Sequence, residues 1–193
     1  MVRTDLKIAF YDCEIAKCIP DRNGCKDPKY QYCQGWHDKA NMNIACIGVW
    51  TNWNTYHVFL ANQLDEFSRL MSEADEIVGF NSINFDDQLL AANGVQIFTT
   101  YDLLCETRVA SGQPPQYVKG KTRGGYSLEQ LARANLGRGK SGSGELAPKL
   151  WQDSRYYDVA LYCLDDVDLT RQLWERRSRL VDPTDGRILR LRG

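Results

Sequence analysis

The sequence predicts an α/β fold, a mixed sheet in which an antiparallel meander is joined by parallel strands and flanked by helices. Three observations point there. Residues 6–15, 43–53 and 55–60 are strand-like and follow one another, with Asn52-Trp53-Asn54 as a tight turn between the second and third. A helix-spaced stretch then runs into a short apolar strand at 76–80. Such a strand, helix, strand order implies a crossover and parallel pairing with an earlier strand. The remainder reads mainly as helices and loops.

Each element has its own signal. Residues 6–15 (LKIAFYDCEI) are rich in β-branched and aromatic residues. Residues 17–43 are polar, carry Pro20, Gly24, Pro28 and Gly35, and read as a long loop or hairpin insertion. Leu64, Phe67, Leu70, Met71 and Ala74 fall at helical spacing. Residues 87–93 form a helix stopped by Gly94, and the segment around 100–110 has helical character. Residues 111–126 are a basic loop rich in Gly and Pro. Ser127 and Gln130 make a capping box for the next helix, which Gly137 ends. Residues 138–148 read as a flexible loop and 155–180 as a long final helix. The basic tail, about 181–193, reads as loosely held.

The 193 residues predict a single domain, 1–193, with the insertion at about 17–43, long enough to bury a core without disulfide staples. No run of about 18 apolar residues predicts a membrane span. The start, Met1-Val-Arg-Thr-Asp-Leu-Lys, lacks the layout of a signal peptide. A cytoplasmic protein is expected. The seven cysteines are an odd number, and Cys13, Cys46 and Cys163 sit in apolar segments, so they read as buried thiols. Net charge is −1, unevenly spread: residues 1–116 hold 9 Lys/Arg against 15 Asp/Glu, residues 117–193 hold 15 against 10. The asymmetry suits an acidic metal site beside a basic surface that tracks phosphates, and equally suits ordinary solvated faces.

Three acidic motifs occur in order. Asp12-Cys13-Glu14 lies inside the first strand, where positions i and i+2 share a face. Two carboxylates on one face of an apolar strand are expensive unless something compensates them, and a metal ion does so. Asn81-Ser-Ile-Asn-Phe85-Asp86 follows the apolar strand at 76–80 and precedes a helix, which puts Asp86 at the carboxyl edge of a sheet. Asp86 also reads as a simple helix cap. Tyr162-Cys-Leu-Asp165-Asp166 lies on the final helix, where i and i+4 share a face, so Tyr162 and Asp166 look out together. Taken singly, each motif has an ordinary structural explanation.

As an ordered series they resemble the DEDD superfamily of 3′–5′ exonucleases, in its tyrosine-bearing branch, and in particular the proofreading exonuclease domain of family B DNA polymerases. The three motifs of that family are similar to FYDCEI, GFNSINFDD and YCLDDVDLT here, and YSLEQLARANLGRGK is similar to its Ser-Leu helix and basic Lys loop. Residues 17–43 are longer than the usual link. The resemblance implies a ribonuclease-H-like fold and two divalent cations, Mg²⁺ or Mn²⁺. It implies that Asp12, Glu14, Asp86 and Asp166 are the metal ligands, with Asp12 bridging both ions. Glu14 and Asp166 would complete the water-activating site, Asp86 would serve the other ion, and Tyr162 would orient the attacking water. Asn81, Phe85 and Lys140 would contact nucleic acid. The expected substrate is single-stranded or 3′-end nucleic acid, DNA favoured over RNA. An RNA-trimming enzyme and a non-catalytic nucleic-acid-binding module stand as alternatives, and no protein partner is legible.

Other signals lead elsewhere. Residues 137–145 (GRGKSGSGE) lack the first Gly of a P-loop, with Ala134 in its place, and follow a helix instead of a strand. Cys18, Cys25, Cys33 and His37 lack the tight Cys-x-x-Cys spacing of a zinc knuckle, so the insertion is not expected to hold metal. Lys119, Lys121, Arg123 and Arg138 in the two loops are candidate phosphate contacts or plain solvated charges.

Overall fold

A computed structural model describes residues 6–193; the start read above for targeting, Met1 to Asp5, lies outside the described residues. Strand β1 (Ile8–Ile15) is followed by the insertion, which ends in a one-turn helix α1 (Lys39–Met42). Strands β2 (Ile44–Thr51) and β3 (Thr55–Leu60), helix α2 (Leu64–Met71), strand β4 (Glu76–Gly79) and helix α3 (Asp86–Ala92) follow. Then come β5 (Tyr101–Asp102), α4 (Leu103–Ala110), α5 (Leu128–Leu136), α6 (Ala147–Gln152), α7 (Tyr156–Glu175), β6 (Leu180–Val181) and β7 (Ile188–Leu189).

The main sheet has the order β3-β2-β1-β4-β5. β1, β2 and β3 pair antiparallel, and β4 and β5 extend β1 in parallel. This is the expected mixed sheet, and with helices on both faces the fold is ribonuclease-H-like. Side-chain alternation divides the core. Tyr11, Ile15, Ile47 and Val49 pack with Phe67, Met71, Leu89 and Leu90 on one face. Phe10 and Val78 pack with Leu131, Val167, Leu169 and Leu173 of α5 and α7 on the other. Asn52 secures the start of β1, accepting from Ile8 N–H at 3.0 Å and donating to the Leu6 carbonyl at 2.7 Å.

The structure departs from the sequence reading in three places. The tail is held. Leu189 and Leu191 bury their side chains in the second core, β6 pairs with β7, and Tyr126 and Thr184 donate to the buried Asp182 carboxylate. Residues 138–148 are also fastened: Lys140 N–H bonds Glu129 and Ser141 N–H bonds Asp165, and the chain enters α6 at Ala147. The segment around 100–110 begins as the two-residue strand β5 before turning helical. The predicted capping box is present, with Ser127 and Gln130 bonded reciprocally, and Gly137 ends α5 at φ 69°.

Candidate active site

Strand alternation sets the first pair of acids. Phe10, Asp12 and Glu14 share the β1 face against which α7 packs, while Tyr11, Cys13 and Ile15 face the other core. A close approach of α7 to β2 makes the juxtaposition possible. A Cβ added at Gly48 would stand 2.9 Å from Cys163 Sγ and 3.3 Å from the Cys163 carbonyl carbon. With no side chain there, Gly48 N–H donates to Cys163 Sγ at 3.1 Å, and the thiol lies 3.3 Å from the Asp12 carbonyl oxygen. Tyr162 and Asp166, one helical turn apart on α7, are both buried beside β1.

Asp86 arrives from the open edge of the sheet. β4 pairs with only Ile8, Ala9 and Phe10, so the second half of β1 has no neighbour on that side. Asp86, the first residue of α3, meets this edge and accepts from Cys13 N–H at 3.1 Å. The turn that aims it is set by a buried residue, Asp102. One Asp102 carboxylate caps α4 through Leu104 and Cys105 N–H and also receives Asn81 and Ile83 N–H at 3.0 and 3.2 Å. Asn81 takes a left-handed conformation, φ 62°, which asparagine tolerates well among non-glycine residues.

The electrostatics are those of crowded acids. Burial, then the Asp166 carboxylate, push the Asp12 carboxyl up to about 7, against the pull of Lys140 and the Cys163 thiol. Glu14 is raised well above the ordinary range by burial and then by Asp12 and Asp166. Asp86 is raised by burial and by Asp12, and Asp166 by burial in spite of Lys140. Each group therefore resists ionising beside the others. The Lys140 ammonium, mostly buried, pairs with Asp166 and lies 5.0 Å from the centre of the Tyr162 ring. Burial alone would lower its pKa, but Asp166 and Asp12 more than reverse this and hold it charged.

The structure brings most of the residues singled out from sequence together and leaves others apart. Asp12, Glu14, Asp86, Tyr162 and Asp166 line one cleft, together with Asn81, Phe85 and Lys140. Lys140 is engaged by Asp166 and is not a free loop cation. Arg138 is likewise committed, at 2.7 Å to both Asp165 and Asp168, which holds those two acids away from the cleft. Lys119, Lys121 and Arg123 do not line it. Gly48 and Asp102, unflagged by any motif, act only through the backbone approaches they permit or hold. The one hint for Asp102 in sequence is an Asp directly before a helical run.

The donor set fits hard cations. One ammonium does not neutralise four carboxyls, and Asp166 Oδ1 and the Tyr162 hydroxyl are buried without a hydrogen-bond partner. Oxygen ligands of this kind suit hard divalent cations. Ligand atoms of Asp12, Glu14 and Cys163 lie within 4.8 Å of one another, a grouping that could hold a metal. Cys163 is the weaker member: hydrogen bonding with Cys46, burial and the Asp12 carboxylate keep it a protonated thiol.

No protein-family model and no curated protein matches the chain. Among solved structures there is a clear likeness. In fold, the chain is similar to part of a family B DNA polymerase. That polymerase comes from the hyperthermophilic archaeon Pyrobaculum calidifontis, with a TM-score of 0.58 and 20% identity over 89% of this chain. The chain spans 24% of the polymerase's length. At this identity the likeness concerns the fold. No helix among the described residues is long and apolar enough to cross a membrane.

Proposed function

We propose that the protein is a metal-dependent 3′–5′ exonuclease of the tyrosine-bearing DEDD type, removing nucleotides from the 3′ end of single-stranded DNA. The observation that carries this reading is the convergence of Asp12, Glu14, Asp86 and Asp166, from three separate elements, on one cleft with Tyr162 beside them. Idle carboxylates crowded in this way would repel a phosphodiester, so their gathering is a cost unless cations are used.

In this reading Asp12, Glu14, Asp86 and Asp166 hold two divalent ions. Bound there, the ions would supply charge neutralisation and an activated water, and would stabilise the leaving oxygen. The protein's own groups do the rest. Without bound metal, burial and then the neighbouring carboxylates raise the Tyr162 hydroxyl above its ordinary range, and a tyrosine pKa that starts at about 10 already favours a donor role over a base at neutral pH. Its oxygen makes no hydrogen bond of good geometry and sits close to Asp166, which leaves it available to orient a water or a phosphate oxygen. In this reading Asn81 and Phe85, in the turn that leads into Asp86, would contact the terminal nucleotide.

The test is degradation of 3′-labelled and 5′-labelled single strands, DNA and RNA, with Mg²⁺, Mn²⁺ or EDTA. The expected result is metal-dependent release of mononucleotide from the 3′ label of DNA and a shrinking ladder from the 5′ label. Preferential loss of RNA would move the substrate to RNA. Intact strands under every metal condition would overturn the activity.

A further inference from the structure

The insertion between β1 and β2 is ordered where it borders the cleft. Cys18 N–H bonds the Gln31 carbonyl and Cys33 N–H bonds the Cys18 carbonyl, each at 3.0 Å, closing a narrow loop with Cys18 and Cys33 buried at its base. Gln152, the last residue of α6, clamps this base. Its amide donates to the Ala16 and Gln31 carbonyls and accepts from Gln31 N–H at 2.7 Å. Asp38 then fixes the following turn by accepting from Gln34 N–H and from the Asn41 side chain.

That turn carries Trp36. Its side chain is 67% exposed and yet lines the cleft that holds the carboxylates. It meets Phe85 edge-on, ring centres 5.7 Å apart and planes inclined at 69°. Lys39 Nζ sits 3.6 Å from the centre of the Phe85 ring, so a cation completes the group. Phe85 adjoins Asp86, which ties this aromatic pair to the acid cluster. The same wall carries Arg22 and Lys26 of the insertion and Lys149 of α6. The Phe85 contact accounts for only part of the indole, and most of its surface stays open to the cleft; large aromatics with one free face are the usual platforms for unstacked bases, with basic groups following the backbone.

Resting on the nucleic-acid reading above, we infer that the exposed face of Trp36, braced edge-on by Phe85, is the aromatic jaw of a clamp for a base at the 3′ end of a single strand. The insertion supplies the stacking jaw, and the Asp86 turn supplies its brace through Phe85. Lys39 orients Phe85, and Arg22, Lys26 and Lys149 face the phosphates of the preceding nucleotides. The cleft volume, about 1290 Å³, exceeds the roughly 300–1,000 Å³ of ordinary small-molecule sites and accommodates more than one nucleotide.

The experiment uses the whole chain and three variants, Trp36→Ala, Trp36→Leu and Trp36→Phe, each checked by thermal melting. Binding of 5′-fluorescein-labelled decathymidylate is measured by anisotropy in EDTA, where no chemistry occurs. The rise in Tm induced by Mn²⁺ is followed separately, because it needs the acid cluster and no base. The expected result is a 5- to 100-fold weaker binding for Trp36→Ala, on the order of one lost base stack, the same loss for Trp36→Leu, and most of the affinity restored by Trp36→Phe. The Mn²⁺-induced Tm shift should be equal in all four proteins. Unchanged oligonucleotide binding by Trp36→Ala overturns the clamp while leaving the catalytic reading standing. Equal losses for Phe and Leu also overturn it. If the wild type binds decathymidylate and the Trp36 dependence holds while Mn²⁺ leaves the Tm unmoved, the clamp stands and the metal-dependent nuclease reading falls. Absence of any binding by the wild type overturns the clamp.

Discussion

Asp12→Asn removes one negative charge from the centre of the acid cluster while keeping its shape. Burial and Asp166 carry the Asp12 carboxyl from 3.8 to about 7. Each pH unit corresponds to about 1.4 kcal/mol, so an ionised Asp12 costs the metal-free fold at most about 4 kcal/mol. Asp12 keeps partial contact with cleft solvent, and protons are shared across the cluster, so about 1–3 kcal/mol is the expected cost. The folded-state value lies above the unfolded one. Stability tied to the protonated group is therefore intact below about pH 4 and is lost as pH rises towards 7. Asp12→Asn should gain about 1–3 kcal/mol in EDTA at pH 8 and distinctly less at pH 5, read from urea unfolding. Mg²⁺ or Mn²⁺ should raise the wild-type Tm and leave the variant's nearly unmoved, and nuclease activity should vanish. A gain equal at both pH values, or a loss at pH 8, would refute the view of Asp12 as one of several crowded carboxylates.

Three further outcomes are expected. Tyr162→Phe should lower single-turnover hydrolysis by about 10²–10³, the loss of one oriented hydrogen bond at the reacting centre, with Mg²⁺ affinity by titration unchanged; full activity would make Tyr162 a packing residue. Gly48→Ala should destabilise the fold by about 1–3 kcal/mol in denaturant unfolding, because its methyl meets Cys163 Sγ at 2.9 Å and α7 must shift. Gln152→Ala should leave the global Tm within a few degrees but speed tryptic cleavage at Arg22, Lys26 and Lys29, since it removes the side-chain bonds that hold the base of the insertion; unchanged cleavage would mean the insertion is held by other contacts.

The sheet was legible because its strands alternate or are fully apolar, and both patterns fix a face. Asp12 and Glu14 could be placed together from period two alone, and Tyr162 with Asp166 from the helical turn. Less was legible where the stabilising partner is distant in sequence. The tail looked loose because its composition is basic, yet Leu189 and Leu191 find their core only once β6 and β7 pair. Lys140 looked like a loop cation because nothing local announces Asp166, 26 positions later, as its partner. Asp102 was hidden for the same reason. Its cap on α4 is local, but its hold on Asn81 and Ile83 spans the crossover between β4 and β5.

The cleft poses an electrostatic problem whose solution joins the site to the insertion. A phosphodiester approaching four carboxylates meets repulsion that Lys140 alone does not offset, since its ammonium is already engaged by Asp166. In the proposed reading bound cations remove that repulsion at the reacting phosphate, but they act only over short distances and give no hold on the rest of the strand. Attraction for the strand must come from groups further along the cleft. Arg22, Lys26 and Lys149 supply charge there, and Trp36, braced by Phe85, supplies a surface that any base can stack on. The division has a consequence for salt. The basic contacts release counterions and weaken as salt rises, whereas stacking does not. Raising salt should therefore weaken decathymidylate binding by Trp36→Ala and by wild type with the same slope of log Kd against log salt, leaving the ratio between them constant. A ratio that collapses at high salt would mean that Trp36 acts by positioning the basic wall and not by holding a base.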